Sequence, residues 1–329
     1  MKERMIMSRT PLRITFVGGG SDLPSFYRSG GPGAVVSATI NRYIYVIVNK
    51  KFDNRIRVSY SRTEIVDRVE QIEHPTIREA LKLLQIDGGI EIVSISDIPS
   101  SGTGLGSSST FLVGLLNALH AYKGEFAPAK QLAEEAVMIE RSILNEPGGK
   151  QDQYAAAFGG MNLFEFYPDE SVSVNPLITR EENRKALQDS MLLLYTGINR
   201  MSADIHRNQS AYISDKMSTY RKMAEMAHSS FNAVREGDMA TLGKFMHENW
   251  NLKKTLANGI SSGYIDDRYR SSIDAGAFGG KLVGAGGGGF LLLLVPPERR
   301  SAVVFAAAPF KEESISLEYA GSRILFVGE

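Results

Sequence analysis

Glycine constrains this chain most: 32 of its 329 residues are glycine, and they gather at 18–20, 102–106, 148–149 and 284–289. Glycine weakens regular helices and strands, so four clusters are more than hairpin turns require. They mark places where something approaches the backbone closely. The sharpest lies within residues 97–110, DIPSSGTGLGSSST, between a strand-like piece at 90–95 and a nearly all-apolar helix that begins at Ser107. Glycines there let successive amides turn inward, and the helix start adds free N–H groups and the positive end of its dipole, which together cradle phosphate. Ser107, Ser108 and Ser109 put hydroxyls where a phosphate-bound Mg²⁺ would sit; the plainer alternative is a glycine turn with an N-capping serine. No Gly-Lys-Ser/Thr follows and the GxGxG spacing misses the dinucleotide fingerprint, so both of those nucleotide folds are disfavoured.

Three further segments offer chemistry. In ERSILNEPGGKQDQ (140–153), Glu140 belongs to a helix that Pro147 and two glycines break, and Asp152 follows on a loop. A helix carboxylate and a loop carboxylate suit a metal ligand and a general base; a solvated helix end with a capping Asp is the competing reading, and Glu146 the competing carboxylate. In PLRITFVGGGSDLP (11–24), a strand runs into three glycines, then Ser21 and Asp22, which could bind sugar hydroxyls or simply cap a turn. GAGGGGF (284–290) joins two uncharged strand-like pieces, as a hairpin or as a wall open to a ligand.

Composition excludes much else. Lys plus Arg total 37 and Asp plus Glu 37, so no net charge favours a nucleic-acid partner. There is no cysteine, which removes disulfides, thiolate nucleophiles and cysteine-ligated zinc. The five histidines form no HExxH pair. MKERMIMSRTP lacks the apolar core of a secretory signal, and the longest apolar runs fall far short of a membrane span, so a cytoplasmic protein with no membrane partner is expected.

At 43% hydrophobic the chain can bury a proper core. Strands are predicted at 12–17, 35–39, 43–49, 90–95, 161–166, 191–195, 281–285, 290–295 and 323–327, and helices around 77–85, from Ser107 to a stop at Gly124, from Pro128 through 144, and at 202–235 and 238–258, with Gly237 as a stop and Asp238 as an N-cap. The polar, proline-punctuated stretch 167–185 marks a boundary, giving domains 1–186 and 187–329.

Taken together and in this order, PSSGTGLGSSST, GAGGGGF and PLRITFVGGGSD resemble the three motifs of the GHMP kinases, over nearly the whole chain. Within that superfamily GGGSDLP, HPTIREAL and PGGKQDQYAAAFGG look like the D-glycero-D-manno-heptose 7-phosphate kinase branch. The resemblance implies an α/β (α+β) fold of two domains, a ribosomal-protein-S5-like amino-terminal half and a ferredoxin-like carboxy-terminal half, with the active site between. It implies ATP and Mg²⁺, a small sugar phosphate as acceptor, and transfer to the anomeric hydroxyl to give the 1,7-bisphosphate for nucleotide-activated heptose. It assigns Gly102, Gly104, Leu105, Gly106, Ser107, Ser108 and Ser109 to ATP, Ser108 and Glu140 to Mg²⁺, Asp152 to the base, and Arg13 to orienting that base. An Arg there weakens a base, so Asp152 is expected mainly to position the nucleophile.

Gly19, Gly20, Ser21 and Asp22 fall in the sugar loop. Galactokinases carry Glu-His where this chain has Gly19 and Gly20; the room suits a larger or phosphorylated sugar. Lys150, Arg200 and Lys281 are candidates for the remote phosphate by proximity. The alternatives are another sugar, such as fucose, and a non-catalytic sensor of the same fold, against which intact Ser108, Glu140 and Asp152 argue. A homodimer is compatible with the sequence, which leaves the oligomeric state open.

Overall fold

The computed structural model describes residues 5–99, 102–198 and 213–328. Arg200 and the first part of the helix predicted at 202–235 lie outside them. A long strand β1 (Met5–Val17) leads through the first glycine loop and the short α1 (Pro24–Tyr27) to β2 (Gly33–Lys50). Strands β3 (Ile56–Ser59) and β4 (Thr63–Val66), helix α2 (Pro75–Leu83) and strand β5 (Ile90–Ser96) follow. Then come α3 (Ser107–Lys123), α4 (Ala129–Val137), α5 (Gln151–Phe158), β6 (Met161–Phe166) and β7 (Val172–Pro176). The second half holds α6 (Glu181–Ser190), β8 (Met191–Tyr195), α7 (Met217–Glu236), α8 (Met239–Lys254), α9 (Gly263–Asp274), β9 (Gly279–Leu282), β10 (Phe290–Leu294), α10 (Arg300–Ala306), β11 (Lys311–Glu313), β12 (Leu317–Glu318) and β13 (Arg323–Val327).

These strands make two sheets. The first runs β13-β1-β2-β5-β3-β4, with β6, β7 and β12 attached through β2; the second is four-stranded, β11-β8-β10-β9, and antiparallel throughout. Burial of both faces explains the unbroken apolar runs: all five residues of FLLLL in β10 are buried. The mixed α/β fold expected from the sequence is present. Gly124 and Gly237 end α3 and α7 in the left-handed conformation, at φ 83° and 81°, and Asp238 caps α8 by accepting from the Thr241 amide at 2.9 Å.

Three elements differ from the expectation. The strands predicted at 35–39 and 43–49 are one continuous β2. The polar tract 167–185 contains β7, pairing with β6, and the start of α6. The strand predicted at 323–327 forms, but β13 pairs with β1 and β12 with the middle of β2, so the end of the second half completes the first sheet. Among the described residues, no helix is long and apolar enough to cross a membrane.

Candidate active site

Three glycines with φ near 77° shape the loop before α3: Gly102 at 76°, Gly104 at 78° and Gly106 at 78°. L side chains rarely adopt that region, and the alternation turns the loop so that α3 starts beside β1. A Cβ on Gly106 would lie 3.3 Å from both the Arg13 Cγ and an Asp152 oxygen. The start of α3 therefore abuts the two residues expected to carry the reaction.

Those two are joined. Arg13, 3% exposed on β1, donates from Nε to Asp152 Oδ1 at 2.8 Å and from Nη2 to Asp152 Oδ2 at 2.8 Å. Its Nη1 donates to the Gly104 carbonyl and its amide to the Leu105 carbonyl. One arginine thus ties the glycine loop to the first turn of α5. This fork geometry is what a guanidinium offers and a lysine does not.

Asp22 is held for the same cleft. Its Oδ1 accepts from the Gly20 amide at 2.9 Å and its Oδ2 from the Gln151 amide at 3.2 Å, with Gln151 Nε2 3.2 Å from Oδ1. Arg13, Gly20, Asp22, Asp152, Lys253 and Gly284 line the resulting small cleft, together with Arg141 and Gly149. Ser21 is placed elsewhere: it is fully buried, its hydroxyl lying 2.8 Å from the Gly18 carbonyl and 2.9 Å from that of Ala34, which uses it to fix the loop. Gly19 packs against Thr15 and Gln151 behind the cleft.

Glu140 is on a single wide π-helical turn (Met138–Ile143) that continues α4. The extra residue rotates the carboxylate inward, where it is 1% exposed. Ser108 donates to its Oε1 at 3.0 Å, Ser109 to its Oε2 at 2.7 Å, and Gln153 Nε2 also donates to Oε2. Burial and the Glu140 charge raise the pKa of Glu146, the competing carboxylate. Among the described residues, no group of three or more acidic or histidine side chains is arranged to hold a metal. The fit is instead that of a cation sharing few protein ligands with a polyphosphate: one carboxylate, the Ser108 hydroxyl beside it, and a buried Gln153 Oε1 that accepts no hydrogen bond.

A second cavity, of about 600 Å³, opens at Ser107 and Ser108, with Ile44, Tyr60, His74, Ile98 and Phe111 in its wall beside the polar Ser94, Ser96 and Asp97. A recess that sets aromatic rings beside a few polar groups is suited to a nucleoside. Both of the described lysines proposed for a remote phosphate lie elsewhere. Lys150 pairs with Glu170 and sits 5.0 Å from the Tyr27 ring centroid, and Lys281 is wholly buried, donating to the Thr15 carbonyl at 3.2 Å.

Sequence reasoning missed Lys253. It is 3% exposed near the end of α8, and burial holds its pKa down at about 8. Leu242, Met246, Asn249 and Trp250 are the buried positions of the same helix, so a lysine continuing that stripe was the available signal.

Known proteins resemble this chain in sequence and in fold. The family described as GHMP kinases N terminal domain matches residues 75–160, and GHMP kinases C terminal matches 230–312. The D-glycero-alpha-D-manno-heptose 7-phosphate kinase of Campylobacter jejuni is 31% identical over 86% of this chain and 87% of its own. The L-fucokinase/L-fucose-1-P guanylyltransferase of Bacteroides fragilis is 24% identical over 86% of this chain, which spans 34% of that protein. The crystal structure of a D-glycero-D-manno-heptose 1-phosphate kinase from Bacteroides thetaiotaomicron superposes with a TM-score of 0.81 at 27% identity, covering 98% of this chain and 100% of that one. On these matches the chain belongs to the GHMP kinase family, as a sugar kinase that transfers phosphate to an alcohol group.

Proposed function

We propose that the chain transfers the γ-phosphoryl group of ATP to the anomeric hydroxyl of D-glycero-D-manno-heptose 7-phosphate, yielding the 1,7-bisphosphate that feeds nucleotide-activated heptose synthesis. The observation that carries the phosphoryl-transfer reading is the Arg13–Asp152 pair, set between the glycine loop at Gly104 and the Asp22 end of the cleft. The heptose reading is supported by the name of the Campylobacter relative. Asp22 accepts hydrogen bonds from sugar hydroxyls, and Asp152 receives the proton of the attacking one. The sugar oxygen bonds to the γ-phosphorus as the bond from phosphorus to the bridging oxygen breaks, and that electron pair leaves on ADP. The loop 102–106 and the first amides of α3 bind the phosphates, and the recess at Tyr60 and His74 takes the nucleoside. Ser108 and Glu140 would hold Mg²⁺, which would supply charge to neutralise phosphate oxygens. The protein works in the cytoplasm, as two units divided near residue 186, with residues 317–327 completing the first sheet.

The test is a panel of free and phosphorylated sugars assayed for ATP-dependent phosphorylation, with phosphorus NMR fixing the position. Heptose 7-phosphate is expected to be preferred over free heptose by at least tenfold, because a lost charge-assisted hydrogen bond costs about 1.5 to 3 kcal/mol. Equal or better kinetics on free heptose, galactose or fucose would overturn the acceptor while leaving the kinase intact. In the same assay Glu140→Gln should raise the Mg²⁺ concentration needed for half-maximal activity, and Ser108→Ala should do so less strongly, since a hard cation loses its anionic ligand in the first and a neutral one in the second. Unchanged Mg²⁺ titrations in both would put the metal elsewhere.

A further inference from the structure

We propose that Lys253 is a catalytic residue of the phosphoryl transfer, its protonated ammonium binding the oxygens of the group in flight between nucleotide and sugar. This rests on the sugar-kinase reading above and not on which sugar is the acceptor.

Three cations line the cleft: Arg13, Arg141 and Lys253. Arg13 is occupied by both Asp152 oxygens and the Gly104 carbonyl. Arg141 gives Nε to the Gly149 carbonyl at 3.0 Å and Nη1 to the Glu146 carbonyl at 3.1 Å, with Nη2 3.5 Å from Glu140. Lys253 makes one hydrogen bond, to the Gly284 carbonyl, and no ion pair among the described residues. An ammonium has three donors, so it keeps capacity for a ligand.

Its anchor places it where the reaction must occur. Gly284 abuts the phosphate loop, since a Cβ there would lie 2.6 Å from the Gly104 Cα. Arg13 and Lys253 therefore hold the facing carbonyls of two touching glycine loops, Gly104 on one and Gly284 on the other, at the cleft that contains Asp22 and Asp152. A phosphoryl group in transfer spreads negative charge over its outer oxygens and is stabilised by fixed cations around it. The bonds made and broken are those given above, with the hydroxyl proton passing to Asp152; Lys253 keeps its own protons throughout.

The charged groups facing Lys253 are Asp22 and Asp152, which favour its charge, and Arg13, which opposes it; Lys281 on β9 faces it as well. Strand β10 brings no titratable side chain, and on α7 Lys222 is paired with Glu248 on the exposed side. Burial outweighs the two carboxylates and brings the pKa down to about 8. In the free enzyme the required charge is thus present at neutral pH and lost as pH rises through that value.

The experiment uses the fastest acceptor found in the sugar panel, so that a wrong sugar assignment does not touch it. Lys253→Met, which keeps the length of the side chain, should lower kcat on the order of 10²-fold, as for loss of a transition-state donor, with both KM values within threefold. Wild-type kcat/KM should fall as pH rises past about 8, whereas Lys253→Arg, charged throughout, should keep its activity there. A Lys253→Met enzyme turning over within threefold of wild type would overturn the proposal. So would a wild-type profile that rises through that range, or one that Lys253→Arg reproduces, and that comparison decides the matter even if the methionine variant fails to fold.

Discussion

Asp152→Asn is expected to lower kcat on the order of 10²-fold or more, the usual contribution of a positioned acid or base, with the KM for ATP changed only a few-fold. Asparagine keeps the shape of aspartate but removes the charge that Arg13 grips through two hydrogen bonds of 2.8 Å. It also weakens the tie that Arg13 makes between the Asp152 carboxylate and the Gly104 carbonyl. Because Arg13 is 3% exposed, the variant leaves a buried cation short of a partner, so a thermal melt must accompany the kinetics. Turnover within threefold of wild type in a folded variant would remove Asp152 from the mechanism.

Gly149→Ala should be nearly as damaging, for a different reason. Its backbone is open to any residue, yet a Cβ there would fall 1.8 Å from the Asp22 Oδ2 and 2.2 Å from its Cγ. Asp22 is itself fixed by the Gly20 and Gln151 amides, so either the carboxylate or the loop before α5 has to move. A displacement of about 1 Å in a reacting group can cost on the order of 10²-fold, and kcat/KM for the sugar should drop by that order while ATP binding is spared. Gly263→Ala is the control: nothing lies within 4 Å of a Cβ there, and its activity should match wild type. Equal sugar kinetics for the two variants would show that Asp22 does not need its present position.

What the sequence made legible were the elements whose signals are local. The loop, start and stop of α3 are written in consecutive residues, and so are the break at Gly237 and the cap at Asp238. The pairing of Arg13 with Asp152 and of Ser108 with Glu140 followed from the family resemblance, since no spacing rule brings positions 13 and 152 together. Where distant partners decide, local reading failed. The polar residues Asn41 and Arg42 interrupt an apolar run and look like a turn, yet they continue β2. Asn41 exchanges hydrogen bonds with the Ser316 backbone, and Arg42 donates to Glu313. Ser21 looks like a ligand because its hydroxyl follows an open backbone; the structure has that hydroxyl bonded to the main chain. Lys253 escaped notice because a lysine in a helix is usually a solvated one.

The return of β12 and β13 to the first sheet bears on how the molecule is made. Translation at about 5 to 20 residues per second leaves an interval on the order of ten seconds between the emergence of residue 186 and that of residues 317–327. Throughout it the Ile6–Arg9 stretch of β1 lacks the β13 strand that pairs with it. An open strand edge is a template for pairing with other chains. The amino-terminal half of the nascent chain therefore waits with the Ile6–Arg9 edge of β1 unsealed, and the sheet is completed there only once β13 has been made.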